Sequence, residues 1–393
     1  LIMFASKDAL FTVPSGGYNI SRSVRLRSSA SAYFNRTPAS ATNRTTWTWS
    51  GWVKRGKIST GALQTIFAQR PNAGATNQTG IWVYITGSDQ IDISGQSLDW
   101  LITTPVYRDP SGWYHVVLSV DTTQATASNR MSLYVNGTQV TSFGTDNRSS
   151  ITQNGTLGAN LANPAFIGST ATSYLFDGYQ AEINMIDGQA LTPSSFGQTD
   201  TATGVWVPKK YTGTYGNNGF YLPFTDTSST TNLVKDSSGN ANNWTPNNIS
   251  LTAGTTYDSM IDVPYCTGQV GGTQPSGNYP VGNAVQGNGS TFSTGNLTWN
   301  AVTTSGPAVS TMVLPSTGKW YWEVTVSTVA EMTVGLQSIT NLAYSARTGY
   351  YRTGGASSGI VIEGTLQTYA PASYTNGDVI SVAFNADSSQ ITW

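Results

Sequence analysis

The run Glu182-Ile183-Asn184-Met185-Ile186-Asp187 comes closest in this chain to the spacing that carboxylate chemistry needs. Retaining cleavage of a glycosidic bond takes two carboxyl groups about 5–5.5 Å apart, one as acid and one as nucleophile. In a strand, residues i and i+2 face the same side, and the residue two beyond Glu182 is Asn184. Asp187 lies five residues on, which puts it on the opposite face unless a bulge intervenes. The segment therefore reads as a strand with Met185 or Ile186 in the core. His115 is the only histidine. It stands between Tyr114 and Val116 in an apolar strand-like run, and no Gly-x-Ser-x-Gly elbow accompanies it. It reads as structural rather than as a general base. Cys266 is also alone, which leaves neither a disulfide framework nor a His/Cys zinc set. It reads as a small buried residue.

Aromatic residues carry the remaining chemistry. A sugar is held by stacking its C–H face on an aromatic ring while a few polar groups bond its hydroxyls, the general pattern of an apolar platform with sparse polar contacts. Trp82, Tyr84, Trp100 and Tyr107 are candidate platforms, with Trp113 and Tyr174 as further ones. Tyr344, Tyr350, Tyr351 and Tyr369 fall between expected strands, in loops, where binding residues concentrate. Trp47, Trp52, Trp320 and Trp322 fit alternating core positions and are set apart as packing residues.

The elements that would position these side chains are strands. Thr46 to Val53 alternates large apolar and small polar residues with the period of a half-buried strand. Tyr114–Val120 and Met131–Val135 are further strands, and Asn136-Gly137 after the latter is a hairpin signal, because both turn residues take positive φ. Helical periodicity is absent, and many short strands separated by Gly, Asn and Ser turns argue a sandwich. The chain of 393 residues divides into an N-terminal anchor or arm (1–17), a strand-dense block (18–200), a Gly/Asn/Ser/Thr-rich connecting region (201–275) and a last block (276–393). The connecting region holds the apolar clusters Val205–Val207 and Phe220–Phe224, so it is not read as a free linker. In the last block, strands are expected at 319–326, 333–336, 359–362 and 379–384. The final residues Gln390–Trp393 read as a strand without its turn, and Leu1 is not an initiator residue; a longer natural chain is expected.

Charged residues are 10% of the chain and the net charge is −1, against about 25% charged residues in an ordinary soluble protein. A duplex nucleic-acid binder needs a basic face that this balance cannot supply. With 12 Trp, 20 Tyr and 12 Phe the chain is not a disordered one. No apolar run approaches the ~18 residues of a membrane span. Solubility rests on hydroxyls and amides, as suits an extracellular or particle-borne β-protein.

Residues 18–200 resemble the laminin-G/pentraxin-like branch of the concanavalin A-like jelly rolls. Four segments carry the resemblance in order: Ser23–Leu26 with Ser31–Phe34, Trp47–Val53, Gly112–Val117 with Leu133–Gly137, and Phe176–Ile183 with Gln189–Thr192. Residues 276–393 resemble a SPRY domain, through Gly318-Lys319-Trp320-Tyr321-Trp322-Glu323-Val324, Val334-Gly335-Leu336 and Gly377–Phe384. The ordered pair is similar to virion-surface proteins of tailed bacteriophages, of tail-fibre or head-fibre type. The resemblance implies an all-β fold, a concanavalin A-like jelly-roll sandwich followed by a SPRY-like sandwich. It implies a non-enzymatic structural and adhesive protein at the virion surface. The implied partners are other virion proteins, host-surface glycans and further copies of itself, a trimer being one form. The jelly-roll family often carries a rim calcium bound by oxygen donors, for which Asp121, Asp146 and Asp177 are the candidates; the competing reading is turn-forming Asp, as in Asp121-Thr122-Thr123. A purely structural head-decoration or fibre protein that binds no sugar is the alternative, and a glycan-degrading enzyme is a further one that lacks its acid pair.

Overall fold

The computed structural model describes residues 2–5, 18–70, 80–95, 98–171, 173–265, 276–287, 289–300, 308–328, 332–337, 347–353, 359–362, 365–366 and 374–393. The chain forms two compact units, a larger one of residues 13–278 with 293–295, and a smaller one of residues 1–12, 279–292 and 296–393. Regular structure is almost entirely β, and among the described residues no helix is long and apolar enough to cross a membrane.

The larger unit is built from two eight-stranded antiparallel sheets. In the first, the strands run in the order Thr138–Gln139, Met131–Val135, Trp113–Asp121, Thr46–Arg55, Gly178–Asp187, Ser23–Leu26 and Ser259–Met260, with Phe220–Leu222 also paired to Gly178–Asp187. In the second the order is Phe143–Asp146, Asp99–Val106, Gln90–Ser94, Ile81–Ile85, Gln64–Gln69, Ala165–Ile167, Tyr33–Arg36 and Thr245–Asn247. The alternation in each strand sends one set of side chains between the sheets. Trp47, Trp49, Val116, Leu118, Ile183 and Met185 meet Phe34, Phe67, Ile81, Val83, Ile91 and Ile93 in one core. Trp49 stacks on Phe67 at 5.9 Å and Phe34 on Phe224 at 5.8 Å. Each such side chain stabilises the fold by roughly 1.5–3 kcal/mol when it leaves water.

The expected hairpin forms. Asn136 and Gly137 take φ of 49° and 79°, and Met131–Val135 turns back into Thr138–Gln139. Gly137 is also required by packing, since a Cβ there would come within 2.5 Å of the Trp206 ring.

Residues 201–275 differ from the expected connecting region. They lend Phe220–Leu222 and Ser259–Met260 to the first sheet and Thr245–Asn247 to the second, and Phe220, Leu222, Phe224, Leu233, Val234 and Trp244 join the core. Buried ion pairs fasten the segment: Asp258 with Arg25 at 3.2 Å and Arg27 at 2.7 Å, and Asp262 with Lys54 at 2.8 Å. The jelly roll and its sequel thus lie within one compact unit.

The smaller unit contains two four-stranded sheets. One runs Ile2–Ala5, Lys319–Thr325, Val379–Asn385, Gln390–Thr392, and the other Met332–Gln337, Arg347–Thr353, Gly359–Ile362, Thr365–Leu366. Trp322, Val326, Val334, Ile380 and Val382 form its core. Of the expected N-terminal arm, Ile2–Ala5 pairs with Lys319–Thr325, and residues 6–17 lie outside the described residues.

Candidate functional site

The Glu182 segment does hold a bulge. Ala181 pairs with Trp52 but Asn184 pairs with Ser50, so three steps on one strand oppose two on the other. Glu182 absorbs the extra residue at a φ of 49°, a left-handed conformation uncommon for a non-glycine. The bulge turns Glu182 toward Tyr221, whose hydroxyl lies 2.9 Å from each carboxylate oxygen. Burial pushes the Glu182 carboxyl up to about 7. Asp187 has other partners: it accepts from the Asn43 N–H at 3.2 Å, the Asn160 side-chain amide at 3.0 Å and the Asn218 N–H at 2.9 Å. The two carboxylates are bonded to different partners.

His115 sits beside this segment, between the rings of Trp52 at 4.7 Å and Trp206 at 6.0 Å. The Trp206 indole N–H, which can only donate, lies 3.0 Å from Nδ1. Nδ1 is therefore the acceptor, and the ring proton belongs on Nε2, which donates to Ser50 Oγ at 2.9 Å. A neutral imidazole with that tautomer cannot take the Ser50 proton, as a serine–histidine nucleophile would need. Burial, the cause of the shift, pulls His115 down to about 3. Ser50, Trp52, His115, Glu182 and Asn184 line a tight seam with no enclosed room for a water. His115 is structural, and Trp52 is buried against it on the face of the sheet away from Trp47 and Trp49.

The three candidate calcium ligands do not meet. Asp121 accepts from the N–H and hydroxyl of Thr123 and from Gln124, the bonding of a turn. Asp146 pairs with Arg148 at 2.6 Å. Asp177 is fully buried and accepts from the Ser28 N–H and hydroxyl and from the Gly295 N–H at 2.7 Å. Among the described residues no group of three or more His, Cys, Asp or Glu side chains is placed to hold a metal.

The candidate platforms separate by burial. Trp100 is 1% exposed and Tyr107 8% exposed, and both belong to the core between the sheets. Neither ring has a face to offer, because the apolar environment that each fills is the other sheet. Trp113 is buried too, its indole N–H donating to Asp262 at 3.1 Å. Tyr350 and Tyr351 are not in a loop. They lie within the Arg347–Thr353 strand, where Tyr350 pairs with Gly335 and Val361 and Tyr351 with Val334 and Ile360. Tyr344 and Tyr369 lie outside the described residues.

Trp82 and Tyr84 remain. They occupy the face of the Ile81–Ile85 strand turned away from the core, since Ile81, Val83 and Ile85 point inward, but only Trp82 is half-buried, while Tyr84 is 6% exposed and as covered as Tyr107. Directly across on Gln90–Ser94, Trp82 faces Ser94 and Tyr84 faces Asp92. One strand further, Ser94 faces the exposed Asp99. Ser94 Oγ lies 2.6 Å from Asp92 Oδ1 and 3.1 Å from Asp99 Oδ1. Burial raises the Asp92 carboxyl to about 7, with Ser94 opposing and Asp99 adding to the rise. Tyr174, 48% exposed, stands edge-on over Tyr84 at 5.8 Å. It is held there at a φ of 52°, and its carbonyl accepts from the Thr65 N–H and hydroxyl. Asp92 and Ser94 are each 5% exposed, so what this outer face presents is the half-buried Trp82 with the exposed Tyr174 and Asp99. Asp92, Ser94 and Asp99 were missed from sequence, although Gln90-Ile91-Asp92-Ile93-Ser94 alternates polar and apolar residues as plainly as any run in the chain.

With this architecture in view, the comparisons with known proteins are specific about the fold. Residues 28–195 match the concanavalin A-like lectin/glucanases superfamily. Residues 28–195 are thus similar to a concanavalin A-like domain of laminin-G type, and the described residues are almost entirely β. No curated protein matches the chain. Among solved structures, a candidate carbohydrate-binding protein from Bacteroides ovatus is similar at 18% identity and a TM-score of 0.36, over 58% of this chain and 59% of that one. The chain thus spans less than two thirds of that protein. A heptameric SAP-like pentraxin from Limulus polyphemus is similar at 14% identity and a TM-score of 0.32, over 44% of this chain and 78% of that one. Domain 4 of a GH43 extracellular arabinanase from Geobacillus stearothermophilus, solved with arabinotriose, is similar at 16% identity and a TM-score of 0.31, over 49% of this chain and 84% of that one.

Proposed function

We propose that this chain is a non-catalytic, glycan-binding protein of a tailed-phage surface, a fibre-type component that uses its concanavalin A-like unit to read host sugars. The observation that carries the binding reading is the outer face where the half-buried Trp82 stands in line, across Ser94, with the exposed Asp99. The half-buried Trp82 and the exposed Tyr174 offer stacking surface, and the exposed Asp99 offers a hydroxyl partner, the composition of a carbohydrate contact. The superfamily match over residues 28–195 agrees with that use of the fold. The virion location and the SPRY-like reading of residues 276–393 rest on the resemblance described above. Many copies on one particle make weak single contacts sufficient, since avidity multiplies affinity by ~10²–10⁴. The enzymatic reading needs a carboxylate pair that the partners of Glu182 and Asp187 do not provide.

The test is binding of the full chain to an immobilised panel of cell-surface polysaccharides, before and after periodate oxidation. Saturable binding, abolished by periodate and weakened by Trp82→Ala, is the expected result. A folded protein that binds no member of the panel would move the assignment to a purely structural virion component.

A further inference from the structure

On the outer face the carboxylate open to solvent is Asp99, whereas Asp92 is 5% exposed. Asp92 and Asp99 are acceptors when ionised, and among the described residues the side-chain hydroxyl between them is that of Ser94. One hydroxyl carries one proton, so it satisfies one carboxylate oxygen at a time. The shorter contact, 2.6 Å, goes to Asp92. Asp99 is exposed and keeps the longer contact of 3.1 Å. Its remaining acceptor capacity points toward whatever lies beside Trp82, because Ser94, its cross-strand neighbour, is also the cross-strand neighbour of Trp82. The charges that act on this face are Asp92 and Asp99 on two strands and Arg70 at the end of a third, which acts on the Tyr84 hydroxyl.

Resting on the glycan-binding reading of this face, we propose that it selects uncharged glycans with free hydroxyls and turns away glycans that carry carboxylates, with the exposed Asp99 setting the preference. A neutral sugar brings O–H donors to acceptors that need them. An acidic sugar brings a second anion beside the Asp99 carboxylate, and like-charge juxtaposition in an interface is costly. Trp82 supplies the stacking surface that both kinds of sugar would use. Charge at Asp99 is what tells them apart. Arg70 is the competing influence, since an acid group placed against it would be attracted rather than repelled.

Two matched sets of oligosaccharides test this on the full chain by titration at constant ionic strength. One set is neutral: maltohexaose, cellohexaose and mannohexaose. The other is acidic: oligogalacturonate, oligoalginate and sialyllactose. Neutral members are expected to bind at least about tenfold more tightly than acidic ones. Asp99→Asn, an exposed change, narrows that gap by admitting acidic sugars, and Asp99→Lys reverses it. Trp82→Ala weakens every interaction, and a thermal melt of each variant confirms that it is folded. Acidic sugars binding as tightly as neutral ones, with binding still lost in Trp82→Ala, would overturn the selectivity and leave the face as the site. Binding that Trp82→Ala leaves unchanged, or no binding to either set, would overturn the face itself.

Discussion

Glu182 shows how one residue can tie a local backbone distortion to a pH response. It occupies a left-handed position in a bulge, and both its oxygens are met by the Tyr221 hydroxyl. Its carboxyl titrates near 7 in the fold, against about 4.3 in an unfolded chain. The native state therefore holds the proton more tightly. The stabilisation is complete below the unfolded pKa and is lost as pH rises through about 7. At about 1.4 kcal/mol per pH unit, this amounts to roughly 4 kcal/mol. Asp92, raised to about 7, works in the same direction. His115, lowered to about 3, works in the other: its contribution is whole above 6.5 and falls away as pH drops toward its folded value. Comparison with Glu182→Gln isolates the first effect. Between pH 5 and 8 the wild-type melting temperature should fall relative to the glutamine variant, measured by calorimetry. Parallel curves for the two proteins would mean that Glu182 is ionised in the fold throughout.

At the scale of the elements, the hairpin at Asn136-Gly137 reaches further than its own turn. Gly137 supports a φ of 79° and leaves room for the Trp206 ring, and the Trp206 indole in turn fixes the tautomer of His115. Gly137→Ala should cost about 1–2 kcal/mol from the left-handed backbone alone. A further loss comes as the Trp206 ring moves off its place and leaves His115 Nδ1 without its donor. Chemical denaturation reads the first effect, and a shift in Trp fluorescence reads the second. A glycine-to-alanine change that lowers stability without altering fluorescence would separate the turn from the indole. The bulge and this hairpin were legible to different degrees. Asn-Gly between two alternating runs names a tight turn from sequence, because few residues accept positive φ. Glu182 carries no such mark, and a bulge became visible only when the pairing of Gly178–Asp187 with Thr46–Arg55 shifted by one residue.

The whole molecule depends on contacts that cross most of the chain. The superfamily match ends at residue 195, yet the larger unit runs from 13 to 278. Strands from 220–222, 245–247 and 259–260 extend both sheets, and Asp258 and Asp262 are buried counter-charges for Arg25, Arg27 and Lys54. Taking one partner from a buried ion pair costs about 3–5 kcal/mol, a large part of a domain's stability. A fragment of residues 28–195 should therefore lack a cooperative melt, whereas residues 13–278 should show one; a sharp transition in the shorter fragment would make the later segment dispensable. By itself the sequence determined that the chain is almost entirely β, that its strands build a sandwich, and where strands over 46–53, 114–120 and 131–135 lie. These follow from period-two alternation and turn residues, which are local. Burial of Trp100 and Tyr107, the convergence of Trp82 and Tyr84 with Asp92, Ser94 and Asp99, and the pairing of Arg25 with Asp258 were decided by tertiary structure. Alternation says which side of a strand a residue takes, but not which strand lies next to it or what covers that face. Those depend on register and packing between residues that are distant in the chain.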